Sequence, residues 1–143
     1  MKPTVVIDTN VLLSGLLWPR GNPHRCLILA KLGMVESVTC EEILCEFYEK
    51  LVGKFQFDAT RATAARDEWC QASRVVGLTQ RVQAVTADRD DDAVIGCALS
   101  GNASYIISGD RHLLSLGSYS HVMILSPAAF LAAHPWMRET PSV

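Results

Sequence analysis

Short apolar runs alternating with amphipathic stretches set the rhythm of this chain. Thr4 to Ile7 is a β-branched run, too short for a helix, and predicts a strand buried on both faces. Val11 to Leu17 predicts a helix ending near Trp18-Pro19, and Pro23 to Leu32 a second helix closed by Gly33. Val35 to Thr39 predicts another strand. From Glu41 to Leu51 the apolar residues Ile43, Leu44, Phe47 and Leu51 recur at helical spacing, and Gly53 follows. Asp58 or Thr60 can cap a longer helix that gathers Ala62, Ala65, Trp69 and Ala72 on one face. Val75 to Thr86 has no clean period and reads as a strand fragment plus loop. Ala93 to Leu99 predicts a helix opened by acids and closed by Gly101. Tyr105 to Ile107 predicts a strand, Arg111 to Leu116 a short helix, and Val122 to Leu125 a last strand. Ser126-Pro127 is a strong helix start, with a capping hydroxyl before a proline at the first helical position.

Strands that alternate with helices in this way predict an α/β fold, three layers deep, with a central parallel sheet. The 143 residues, 49% of them hydrophobic, fit one domain, and no repeat or Pro/Gly/Ser-rich linker divides it. We expect that domain to span residues 1–134, with a loosely held tail from Pro135 to Val143. The five cysteines form an odd set without a Cys-x-x-Cys pair, so they read as small buried apolar residues of a cytoplasmic protein. Asp8 and Asn10 interrupt the apolar amino terminus, so no signal peptide is read there. No run approaches the roughly 20 apolar residues of a membrane helix. A net charge of -2 argues against a generally basic nucleic-acid surface. It leaves open an acidic site whose local field is changed by a bound cation.

Acids are the candidate chemistry. In a parallel sheet, sites form beyond the carboxyl ends of the strands, a rule that picks out Asp8 and Asp110. Capping explains either one alone equally well. Asp88, Asp90, Asp91 and Asp92 place four carboxylates within five residues, directly before an apolar helix. The helix dipole stabilises each nearby acid by roughly 0.3–1 kcal/mol, which accounts for one or two of them. Four crowded like charges are favourable only around a shared cation. Asp91 and Asp92 both lie on the side of Ile95 and Leu99, and the helical wheel does not choose between them. Glu46 and Glu41 border the apolar stripe of their helix on opposite sides, and a solvated face explains both. The histidines are scattered, no glycine-rich phosphate loop follows the first strand, and the aromatics are too dispersed for a base-stacking platform. Asn10 stands where a haloacid-dehalogenase-like phosphatase would need a second acid. Ser108 to Leu116 also lacks the lysine of a phosphate-accepting signalling domain.

Four segments in order resemble the PIN-domain nucleases, specifically the VapC-like branch of toxins from toxin–antitoxin pairs. They are Val-Ile-Asp-Thr-Asn-Val-Leu-Leu-Ser-Gly from Val6, Glu-Ile-Leu-Cys-Glu-Phe from Glu42, Asp-Arg-Asp-Asp-Asp-Ala-Val-Ile from Asp88, and Ala-Ser-Tyr-Ile-Ile-Ser-Gly-Asp-Arg-His-Leu-Leu from Ala103. The resemblance implies that the family's four acids are Asp8, Glu46, Asp92 and Asp110, serving as metal ligands and catalytic groups. It prefers Glu46 to its neighbours, and Asp92 to Asp91 because the third acid stands three residues before an apolar helix position, here Ile95. Asn10, Ser108 and Asp91 become supporting residues, and Arg89 and Arg111 candidate phosphate contacts. Arg89 replaces a frequent proline and Ser108 a frequent threonine, and neither change removes a ligand. The implied activity is RNA hydrolysis with Mg²⁺ or Mn²⁺, which favour all-oxygen ligand sets. The implied partners are an RNA substrate, a small antitoxin protein, and further copies of the chain in a homodimer or higher homo-oligomer. The alternative is a noncatalytic domain of the same fold that binds RNA or protein.

Overall fold

The computed structural model describes residues 2–78 and 89–139, with the side chains of residues 89, 90, 138 and 139 outside that description. The chain runs β1 (Thr4–Ile7), α1 (Thr9–Leu17), α2 (Asn22–Lys31), β2 (Glu36–Thr39), α3 (Glu41–Gly53), α4 (Ala59–Gln71) and β3 (Ser73–Val75). It continues with α5 (Arg89–Ser100), β4 (Tyr105–Ile107), α6 (Arg111–Leu116), β5 (Ser118–Tyr119), β6 (Val122–Leu125) and α7 (Pro127–Ala133), and a 3-10 turn over Pro135–Glu139.

The sheet order is β3-β2-β1-β4-β6-β5, parallel throughout except for the short β5–β6 hairpin. From the central β1 the chain steps outward through β2 to β3, then returns to place β4 on the other side of β1. That reversal makes the β1/β4 boundary the topological switch point, where strand ends open a crevice. Right-handed crossovers put α1 to α4 on one face of the sheet and α5 with α6 on the other. The packing agrees: α1 lies on α2 and α3, α3 on α4, and α5 on β1, β2 and β4. Helices α3 and α5 also touch each other, so the two outer layers meet. Val5, Val6 and Ile7 are almost wholly buried, which is what a strand covered on both faces requires.

Several boundaries differ from those the pattern predicts, for identifiable reasons. Helix α1 starts at Thr9, two residues early, because the Asp8 side chain accepts from the Thr9 amide and caps it. Asp58, not Thr60, caps α4 by accepting from Arg61 N at 2.8 Å. Helix α5 starts at Arg89 rather than Ala93, so Asp91 and Asp92 lie within it; acids suit a helix's first turn as well as the loop before it. The expected strand fragment is Ser73–Val75, and residues 79–86 of that ambiguous stretch lie outside the described ones. Strand β5 is two residues long, too short to leave a periodic signal. Cys26, Cys40 and Cys97 are buried as expected, whereas Cys45 is exposed because its position on α3 faces away from the sheet. Met137 is fully buried, so the segment just after Pro135 is anchored by one apolar side chain.

Gly15 marks a close approach of α1 to α2. A Cβ there would stand 2.5 Å from Leu27 Cδ1 and 3.0 Å from the Pro23 carbonyl oxygen, and the His24 ring donates from Nδ1 to Gly15 O at 2.9 Å. Gly53, at the end of α3, has open space where its Cβ would go. Gly15→Ala should therefore destabilise the protein by about 1–3 kcal/mol through overpacking. Gly53→Ala should be neutral or stabilising by up to about 1 kcal/mol. Urea denaturation of both variants beside the wild type checks the contrast; equal effects would show that the α1–α2 contact is not close.

Candidate active site

Asp8 lies directly after β1 and its backbone amide donates to Ile107 O at 3.0 Å, extending the β1–β4 ladder by one step. Asp8 as a whole is 6% exposed. Oδ1 accepts from Thr9 N at 2.7 Å and Oδ2 accepts from Ser108 Oγ at 2.8 Å. Ser108, fully buried just after β4, also accepts at Oγ from Asp110 N at 3.0 Å. One hydroxyl thus connects the ends of two adjacent strands. Asp110 is half-buried and caps α6, accepting from Leu113 N at 3.0 Å. Asp8 and Asp110 are close enough to repel each other electrostatically.

Burial is the largest influence on the Asp8 carboxyl and pushes its pKa up; repulsion from Asp110 acts in the same direction. The hydrogen bonds from Ser108 and Thr9 and the positive charge of Lys50 pull it down, without offsetting burial. The ionised form is therefore held at a cost, which an added cation would lower.

The other acids lie on α3 and α5. Glu46 is half-buried and lines a narrow crevice of about 10 Å³ together with Thr9, Glu42, Ile43, Ala93 and Val94. Glu41, the other border residue of α3, is exposed and accepts from Cys45 Sγ at 3.9 Å, so it is occupied elsewhere. On α5, Asp91 is buried and Asp92 half-buried, and both lie on the side of the core residue Ile95. Asn10 is exposed and its Oδ1 accepts from Lys50 Nζ at 3.3 Å, so it meets a cation rather than a carboxylate. Arg111 is exposed on α6, and the Arg89 side chain lies outside the described residues. The structure thus joins Asp8, Ser108 and Asp110 directly. Among the described residues no three acids, histidines or cysteines converge closely enough to enclose a metal ion.

Two residues at this rim were not singled out from the sequence. Lys50 follows Glu46 by one helical turn, a spacing visible in the sequence, but its reach to Asn10 is a tertiary contact. Thr9 is 1% exposed, and its Oγ1 has no hydrogen-bond partner among the described residues. A buried orphan hydroxyl in a polar crevice needs a partner such as water or a water-bearing cation. With a desolvated carboxylate nearby and oxygen donors throughout, the residues suit a hard divalent cation.

The raised Asp8 pKa has a stability consequence for the metal-free protein. Between the ordinary carboxyl pKa and the higher folded value, the folded state holds more protons than the unfolded state, so stability falls as pH rises through that window. Asp8→Asn should therefore raise the neutral-pH melting temperature in EDTA by a few degrees, on the order of 1 kcal/mol. The gain should shrink as the pH is lowered toward the ordinary carboxyl range. Calorimetry across pH checks the sign; a neutral-pH loss of stability in the variant would show that the Asp8 hydrogen bonds outweigh its burial.

Comparison with known proteins places this geometry in a family. Residues 4–112 match the PIN domain family, well over half of the chain. The uncharacterized protein MJ1680 of Methanocaldococcus jannaschii is 31% identical over 120 residues, covering 81% of this chain and 76% of the relative. In fold, the chain is similar to a crystal structure of VapBC2 from Rickettsia felis bound to a DNA fragment from their promoter. The TM-score is 0.61 at 10% identity, covering 85% of this chain and 96% of that one. The switch-point acids therefore belong to a chain that is a member of the PIN domain family.

Proposed function

We propose that the protein is a metal-dependent endoribonuclease that hydrolyses RNA phosphodiester bonds and acts as the toxin of a toxin–antitoxin pair. The observation that carries this reading is the Asp8–Ser108–Asp110 linkage at the switch point. It fixes one nearly dry carboxylate beside another, an arrangement that costs stability unless a cation is shared. Asp8, Glu46, Asp92 and Asp110 are the proposed ligands of Mg²⁺ or Mn²⁺. When bound, such an ion supplies an activated water and neutralises the phosphate.

The chain's own contribution is orientation. Thr9 N and Ser108 Oγ hold both oxygens of Asp8, and the Asp110 amide locks the serine hydroxyl in the direction of Asp8. Leu113 N fixes one oxygen of Asp110. Asp91, buried beside Asp92, supports the α5 end of the site, and Arg111 and Arg89 are the proposed phosphate contacts. Asn10, exposed on the first turn of α1, is the further proposed supporting residue. A small antitoxin protein is the proposed partner, a reading supported by the fold shared with VapBC2 from Rickettsia felis. A homodimer or higher homo-oligomer working in the cytoplasm completes the reading. Among the described residues, no helix is long and apolar enough to cross a membrane.

The reading is tested by incubating labelled single-stranded RNAs with the purified protein in Mg²⁺, Mn²⁺ or EDTA. Cleavage should require the metal and fall by roughly a hundredfold or more in folded Asp8→Asn and Asp92→Asn variants. Ser108→Ala, which leaves the acids in place but frees their orientation, should lose about tenfold. RNA that is bound but cleaved by neither wild type nor variants would favour the noncatalytic binding domain instead.

A further inference from the structure

Lys50 places a positive charge against the amino-terminal turn of α1. Its ammonium donates to Asn10 Oδ1 at 3.3 Å, two residues beyond Asp8, and Asp8 feels its charge. It stands one helical turn after Glu46 on α3 and so shares that helix face, while its neighbours Phe47 and Leu51 are buried and anchor the backbone. The partner it meets is a neutral amide. Among the described residues, Lys50 forms no salt bridge, whereas Lys31 and Arg74 each pair closely with a glutamate.

We propose that Lys50 is a phosphate-binding residue of this site, with Asn10 holding its ammonium at the mouth until an RNA backbone phosphate takes its place. This inference rests on the nuclease reading of the acidic rim and adds a residue that reading does not use. The physical reason is one of sign. An ammonium at the edge of a site for a divalent cation repels that cation, so by itself it weakens metal binding. It becomes favourable once a phosphate arrives and interacts with both positive charges. A point charge on a flexible stem also suits a phosphate whose position shifts along a single strand.

Two opposite effects are therefore expected from Lys50→Met, which keeps most of the apolar stem and removes the charge. Calcium binding to the metal-free protein, followed by titration calorimetry, should tighten by roughly two- to fivefold. Binding of a labelled single-stranded RNA in calcium should weaken, and its dependence on log salt should flatten by about 0.7, the loss of one phosphate contact. Lys50→Arg should restore the salt slope. A role limited to supporting α3 would weaken both ligands or neither, and either result overturns the proposal, as does an unchanged salt slope or a wild type that binds no RNA.

The cleavage assay separates this outcome from that of the nuclease reading. A wild type that cleaves RNA while Lys50→Met keeps the full salt slope overturns the role of Lys50 alone. A wild type that shows the Lys50-dependent slope but never cleaves overturns the nuclease reading and leaves the phosphate contact standing.

Discussion

Ser108 donates to the Asp8 carboxylate and accepts from the Asp110 amide, and these two bonds tie the exit of β1 to the exit of β4. The constraint is possible because Ile7 pairs with Ile107 in the sheet, so the next residue of each strand emerges at the same level. Ser108 also donates its own amide to Leu125 O, which joins β6 to the same rim. A hydroxyl is suited to this role because it gives one proton and accepts another at a single atom. Position follows from topology: only where the strand order reverses do two neighbouring strand ends lack a crossover helix between them.

Putting a carboxylate there has a cost, and its surroundings reduce that cost without removing it. Asp8 caps α1 and Asp110 caps α6, so each lies at a helix amino terminus where orphan amides favour negative charge. The backbone and serine bonds satisfy both Asp8 oxygens, yet burial still pushes its pKa up. A purely structural cap would do better exposed, as Asp58 is at the start of α4. Both positions use an aspartate as a helix cap, Asp8 accepting from the next amide and Asp58 from the amide three residues on, and they differ in how far the charge is withdrawn from water. That difference makes Asp8 a candidate site residue as well as a cap.

The same difference explains which parts of the molecule were legible in the sequence. Strand runs such as Val5-Val6-Ile7 and Tyr105-Ile106-Ile107 announce burial on both faces, and the strand-end rule then puts Asp8 and Asp110 on one rim. Ser126-Pro127 fixes the start of α7 by local chemistry alone. The start of α5 was not legible, because Asp90, Asp91 and Asp92 fit a loop before a helix and its first turn equally well. Periodicity could not separate Glu46 from Glu41, since both border the same apolar stripe; the crevice formed by α1, α3 and α5 separates them. Lys50 was illegible for the same reason, because its meaning lies in a contact across 40 positions of sequence.

Charge also orders events at such a site. The chain carries a net charge of -2, and Asp8 and Asp110 lie together at the switch point, so a phosphate backbone approaching it alone meets repulsion. In the proposed nuclease a cation has to reduce that field before RNA can be held close. On that reading the acids select first for a hard cation and only through it for phosphate. Lys50 stands at the edge of this field, near enough to Asp8 to be felt and tethered to Asn10 instead of a carboxylate. In the proposed nuclease that placement keeps its charge out of the position the cation needs while leaving it within reach of the backbone that follows.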